Sequence, residues 1–209
     1  MHVDKLIWCH VRSIQPTGGG FLVYRDEIHF YVTGRRPAIS LADTYVDGKM
    51  EITVGIARLR RDGFASFSAP SAGGVVVVTS QPVVFSGSAL WVNVKLPAAG
   101  SLRVELLDAV GAVLSPWGVA NNTVLVGRLD ETQVRVNWTT CGSQTLVAAA
   151  GKHVRLRFWL EGGAQLFSFW VSREDYGASG GYVGAGGPDY PMQRDSVRHT
   201  YAEVWKKDY

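Results

Sequence analysis

A chain of 209 residues has room for one large domain, or a medium domain with part of a second, and is long enough to bury a substantial core. Its 46% hydrophobic and 19% charged residues exclude a disordered chain. The net charge of +3 is dispersed without a basic block, which argues against a dedicated nucleic-acid surface, and no apolar run approaches the roughly 18 residues of a membrane helix.

Residues 1–10 carry charges inside their apolar patches and do not read as a signal peptide. Beyond them the dominant pattern is period-two alternation. Residues 21–24 and 28–32 flank the polar Arg25-Asp26-Glu27, which predicts a hairpin. Residues 34–49, with Pro37, Asp43 and Asp47, read as a long loop. Residues 55–61 alternate again, Asp62-Gly63 supplies a two-residue turn, and residues 64–67 are the expected return strand. From Val75 onward short strands are expected at 75–79, 83–86, 90–96, 101–107, 123–126, 132–138, 153–160 and 165–171, each bounded by turn residues. This spacing predicts an all-β fold with an antiparallel β-sandwich, of jelly-roll or concanavalin-like type, over residues 71–175. A Gly-rich C-terminal extension follows over 176–209, with a short helix expected at 197–206.

The same alternation sorts the faces of the strands. Leu90, Val92, Val94 and Leu96, then Leu102, Val104 and Leu106, then Val154, Leu156, Phe158 and Leu160 are expected in the core. The opposite faces carry Trp91, Asn93 and Lys95; Arg103 and Glu105; Gln133, Arg135 and Asn137; and Arg155, Arg157 and Trp159. Trp138 and Trp170 are expected to point inward, Trp91 and Trp159 outward. A face rich in Arg and Trp is a binding or docking surface. Trp91, Trp159, Arg155, Arg157 and Arg60 are therefore the candidate ligand-binding residues.

Catalytic signatures are sparse. Glycoside hydrolysis needs a pair of carboxylates, but Asp62, Asp108, Asp130 and Glu161 all sit at expected turns, where they serve the backbone. Asp62, beside Arg58, Arg60 and Arg61, is a weak catalytic candidate whose simpler reading is a hairpin turn with local ion pairing. His2, His10, His29, His153 and His199 have no metal-ligand spacing, and no Ser lies in a Gly-x-Ser-x-Gly elbow. Cys9 and Cys141 match no metal spacing; two separate reduced thiols are expected over a disulfide, which geometry and not sequence decides. The glycines of 177–187 lack phosphate-loop spacing and read instead as a pinned surface loop crossing another domain. Neither metal nor cofactor is expected.

Several segments carry a family resemblance: residues 19–23 (GGFLV), 28–33 (IHFYVT), 55–66 (GIARLRRDGFAS), 102–108 (LRVELLD), 154–158 (VRLRF), 169–172 (FWVS) and 180–188 (GGYVGAGGP). Together they resemble the C-terminal half of invertase-type (fructan-hydrolase-like) glycoside hydrolases, over nearly the whole chain to Pro188. The resemblance implies that residues 1–70 are propeller-type hairpins of an incomplete domain, followed by the sandwich. It also implies that the nucleophile and the acid/base carboxylate would lie upstream of Met1. The expected function is then a non-catalytic, carbohydrate-related module that packs against a propeller and binds saccharide. A free-standing lectin-like protein is the alternative, and a small autonomous glycosidase the third reading. Propeller-type strands with uncovered edges also imply a homo-oligomer or a missing propeller partner. No nucleic-acid or membrane partner is expected.

Overall fold

The computed structural model describes residues 13–39, 45–139, 146–173 and 176–177. The protein is all-β: strands make up 58% and no helix reaches 7 residues among the described residues, as the alternation predicted. The chain divides into two compact units, Met1–Phe64 and Ala65–Tyr209.

The first unit is an antiparallel sheet of three long strands, β1 (Ser13–Tyr24), β2 (Glu27–Ile39) and β3 (Tyr45–Arg60), in the order β1-β2-β3. The expected hairpin forms: Tyr24 pairs with Glu27, and Arg25 takes a φ of 54° in the two-residue turn between them. Of the stretch expected as a loop, residues 34–39 and 45–49 are strand, and 40–44 lie outside the described residues. β2 and β3 stay paired from Glu27↔Arg60 through Gly34↔Thr53 and Pro37↔Met50 to Ile39↔Tyr45. Pro37 lacks an N–H for the ladder of this central strand, and the register shifts between Pro37 and Ile39 beside it. Long-range pairing has thus overridden local turn chemistry. The Asp62-Gly63 turn also forms, with Asp62 at φ 50° and the Gly63 amide donating to the Arg60 carbonyl at 3.0 Å. No return strand follows, because the chain leaves the first unit here and residues 67–68 join the second. On one face of the sheet Ile28, Val32 and Ala57 are buried. On the other, Leu22, Tyr24, Tyr31, Ile52, Val54 and Ile56 are exposed.

The second unit has two four-stranded antiparallel sheets. One has the order β5 (Val75–Thr79), β10 (Val154–Glu161), β7 (Ser101–Asp108), β8 (Leu125–Val126). The other has the order β4 (Phe67–Ser68), β11 (Gln165–Ser172), β6 (Ala89–Leu96), β9 (Leu129–Val136). Their inward faces form one core containing Leu90, Val92, Val94, Leu102, Val104, Leu106, Leu156, Phe158 and Leu160, as the alternation predicted. Each such side chain contributes about 1.5–3 kcal/mol by leaving water. Phe158 of β10 meets Phe169 of β11 across the two sheets at 4.9 Å between ring centroids. Of the strand expected at 83–86, only bridge residues Val83 and Val84 remain, Val83 pairing with Val154.

Two local features shape the surfaces. Asn122 stitches the sheets together at one edge: its Oδ1 accepts from the buried Val104 amide of β7 at 2.8 Å. Its Nδ2 donates to the Asn137 carbonyl, just beyond β9, at 2.9 Å. The second feature is a register shift in β11 between Leu166 and Ser168. It reverses the alternation, so Phe169 enters the core and Trp170, expected inward, lies on the outer face opposite Trp91. Trp138 is buried in the core as expected. The expected helix at 197–206, Cys9, Cys141 and most of the Gly-rich extension lie outside the described residues.

Candidate functional site

The outer face of the β5-β10-β7-β8 sheet gathers three of the five candidate binding residues. β10 alternates strictly, so Arg155, Arg157, Trp159 and Glu161 all point away from the core. Strand register then sets their neighbours. Trp159 lies between Val77 of β5 and Arg103 of β7, and Arg157 between Thr79 and Glu105. Arg155 lies beside Leu107, and Glu161 between Val75 and Ser101.

At the centre is Glu105, whose side chain is only 4% exposed although it belongs to the outer face. Its Oε1 accepts from Arg157 Nη1 at 3.0 Å and from Trp159 Nε1 at 3.3 Å. Arg157 also donates through Nε to Thr79 Oγ1 at 3.3 Å. A buried carboxylate without such donors would be strongly unfavourable, so these contacts are what allow Glu105 to be there. The consequence for Trp159 is geometric. Its indole N–H is tied down by Glu105, while its ring lies partly exposed between Val77 and Arg103. Arg155 braces the rim, donating from Nε to the Ala109 carbonyl at 3.1 Å and from Nη1 to the Ser80 carbonyl at 3.2 Å. The Arg103 side chain is exposed, beside the ring, and makes no hydrogen bond or ion pair among the described residues.

The other two candidates lie elsewhere. Trp91 is on the outer face of the opposite sheet, level with Arg135 and Trp170. The chain beyond β11 crosses this face: Gln133 Nε2 donates to the Tyr176 carbonyl and Trp170 Nε1 to the Gly177 carbonyl. Gly177, at φ 80°, lies so close that an added Cβ would be 2.7 Å from the Trp91 ring. Its lack of a side chain is what permits the crossing. Arg60 is in the first unit, paired in register with Glu27, whose Oε2 is 2.8 Å from His29 Nε2. Asp62 occupies the turn corner after β3 and ion-pairs with Arg61 at 3.7 Å.

Sequence reasoning placed Glu105 outward but did not single it out. The available signal was register: an acid on β7 directly opposite an Arg on β10 is a cross-strand pair. Chemically, the face presents a fixed aromatic ring flanked by guanidinium groups, and its central carboxylate is already engaged by two donors. Among the described residues no three His, Cys, Asp or Glu side chains come together to hold a metal ion. No family model, no curated protein and no solved structure was found to match the chain.

Proposed function

We propose that the chain is a non-catalytic, carbohydrate-related β-sandwich module, and that the outer face of the β5-β10-β7-β8 sheet binds saccharide around Trp159. The observation that carries this reading is the fixed indole. Trp159 holds its N–H against the Glu105–Arg157 pair and keeps part of its ring at the surface. An aromatic ring offers the apolar C–H faces of a sugar a flat platform. A ring already fixed loses little side-chain freedom on binding. Arg103, beside the ring, supplies guanidinium donors for hydroxyl or carboxylate groups of the sugar. The resemblance of several segments to invertase-type glycoside hydrolases supports a carbohydrate setting.

Calorimetric titration with a panel of soluble oligosaccharides, fructans included, tests the proposal. Binding is expected to be abolished by Trp159→Ala and unchanged by Trp91→Ala, whose ring lies under Gly177. Absence of binding across the panel, or equal loss in both variants, would refute it.

A second reading has its own support. Val75, Val77 and Val126 are 51%, 45% and 64% exposed on this same face. A Trp–Arg centre with an aliphatic rim also suits protein packing, in which such residues carry much of the binding energy. If the panel fails while Trp159→Ala disrupts association with a larger assembly, the face is a domain-packing surface.

A further inference from the structure

The outer face of the β5-β10-β7-β8 sheet turns its cations to solvent and buries its central anion. Arg157 and Glu105 form an ion pair whose members are unequally placed, the Arg157 side chain 29% exposed and the Glu105 side chain 4%. The pair is neutral as a whole, yet the charge that water meets is the guanidinium. The exposed Arg103 side chain adds a second guanidinium, with no acidic partner among the described residues. Arg155 adds a third. Its Nε and Nη1 donate to the Ala109 and Ser80 carbonyls, which take hydrogen bonds without cancelling its charge. On Arg155 and Arg157 alike, Nη2 has no acceptor among the described residues and is not buried. Glu161 is the other acid of this face, at the end of β10 beside Ser101, and the face stays net positive with it included. The opposite sheet differs. On its outer face Lys95 ion-pairs with Asp130 at 3.0 Å, both about half exposed, so the two charges cancel in solvent.

Register fixes where the cations stand relative to the ring. Arg103 is directly opposite Trp159 across the β7–β10 pair, and Arg157 is two residues along β10, about 6.6 Å away. A pyranose stacked on Trp159 therefore has guanidinium groups at its edge and not beneath it. In a uronic acid the carboxylate is carried on a ring carbon and projects from that edge. A planar carboxylate accepts two parallel N–H bonds from a guanidinium fork, a match that a neutral hydroxymethyl group cannot make.

We infer that this face takes acidic saccharides of the uronic acid class, with the sugar ring stacked on Trp159 and its carboxylate held by Arg103. The inference rests on the proposal that Trp159 is a saccharide platform and adds the class of sugar that the platform takes.

Calorimetric titration of the full chain with galacturonate, mannuronate and guluronate oligosaccharides, and with the methyl ester of each, tests it. Esterification removes the negative charge and keeps the ring. At least one free acid is expected to bind roughly tenfold more tightly than its ester. That gap is expected to narrow as salt rises from about 0.05 to about 0.5 M. Arg103→Gln is expected to cut the acid-to-ester ratio at least about threefold, and its side chain holds no hydrogen bond whose loss would disturb the fold. Arg103→Lys keeps the charge but loses the fork, and is expected to fall between the two. Trp159→Ala is expected to weaken acid and ester alike. Equal affinity for acid and ester, a ratio unmoved by Arg103→Gln, or tighter binding of a sulfated oligosaccharide than of any uronate of equal charge would overturn the inference. If neutral oligosaccharides bind and lose that binding in Trp159→Ala, the platform stands and only the sugar class falls. If no saccharide of either kind binds, both fall.

Discussion

Removing Arg157 tests how the candidate face is held together. In Arg157→Leu, the Glu105 side chain, 4% exposed, keeps only the Trp159 N–H at 3.3 Å. Breaking a buried ion pair from one side typically destabilises by about 3–5 kcal/mol, against about 0–1 kcal/mol for an exposed pair. The remaining indole donor places the expected loss at the lower end, about 3 kcal/mol. The converse change, Glu105→Leu, leaves a guanidinium that is 29% exposed and still donates to Thr79. Water reaches it, so the expected loss is smaller, about 1–2 kcal/mol. The double variant Glu105→Leu/Arg157→Leu replaces the pair with apolar side chains and is expected to lose less than the sum of the two. Urea unfolding, followed by both far-ultraviolet circular dichroism and tryptophan fluorescence, gives the three free energies if the probes coincide. Equal losses for the two single variants, or a loss below about 0.5 kcal/mol for Arg157→Leu, would show that Glu105 behaves as a surface carboxylate and refute the reasoning.

Asn122→Ala removes the acceptor of the buried Val104 amide and the donor to the Asn137 carbonyl, so a loss of about 2–4 kcal/mol is expected. Amide exchange at Val104 should accelerate with it, and unchanged protection there would contradict the stitching role. Gly162→Ala would place a Cβ 2.0 Å from the Ala99 carbonyl oxygen at a residue with φ 60°. A loss of at least about 2 kcal/mol in chemical unfolding is expected. A neutral result would mean that the turn before β11 moves freely.

The sandwich was the most legible part of the sequence because its strands obey a rule that local sequence records. Leu102-Arg103-Val104-Glu105-Leu106 alternates, and every second side chain enters the core. Three features escaped because they depend on partners remote in sequence. Residues 34–37 carry turn formers, yet pairing with residues 50–53 of β3 holds them extended. Asp62-Gly63 makes its turn, but whether a turn closes a hairpin depends on where the following strand finds a partner; Phe67–Ser68 finds it in β11. Trp170 faces outward because a single register shift at Leu166/Ser168 inverts every later position of β11. The candidate face was half legible in the same sense. Alternation put Arg155, Arg157 and Trp159 together, whereas the burial of Glu105 arises from how Arg157 and Trp159 close over it.

Two-dimensional NMR of the tryptophan indole N–H groups during titration with a binding oligosaccharide tests the central claim most directly, because it reads the Trp159–Glu105 contact itself. The Trp159 indole resonance, assigned by its loss in Trp159→Phe, is expected to shift in a saturable manner while those of Trp91 and Trp138 stay in place. A titration that moves Trp91 and leaves Trp159 unchanged, or moves no indole at all, would contradict it.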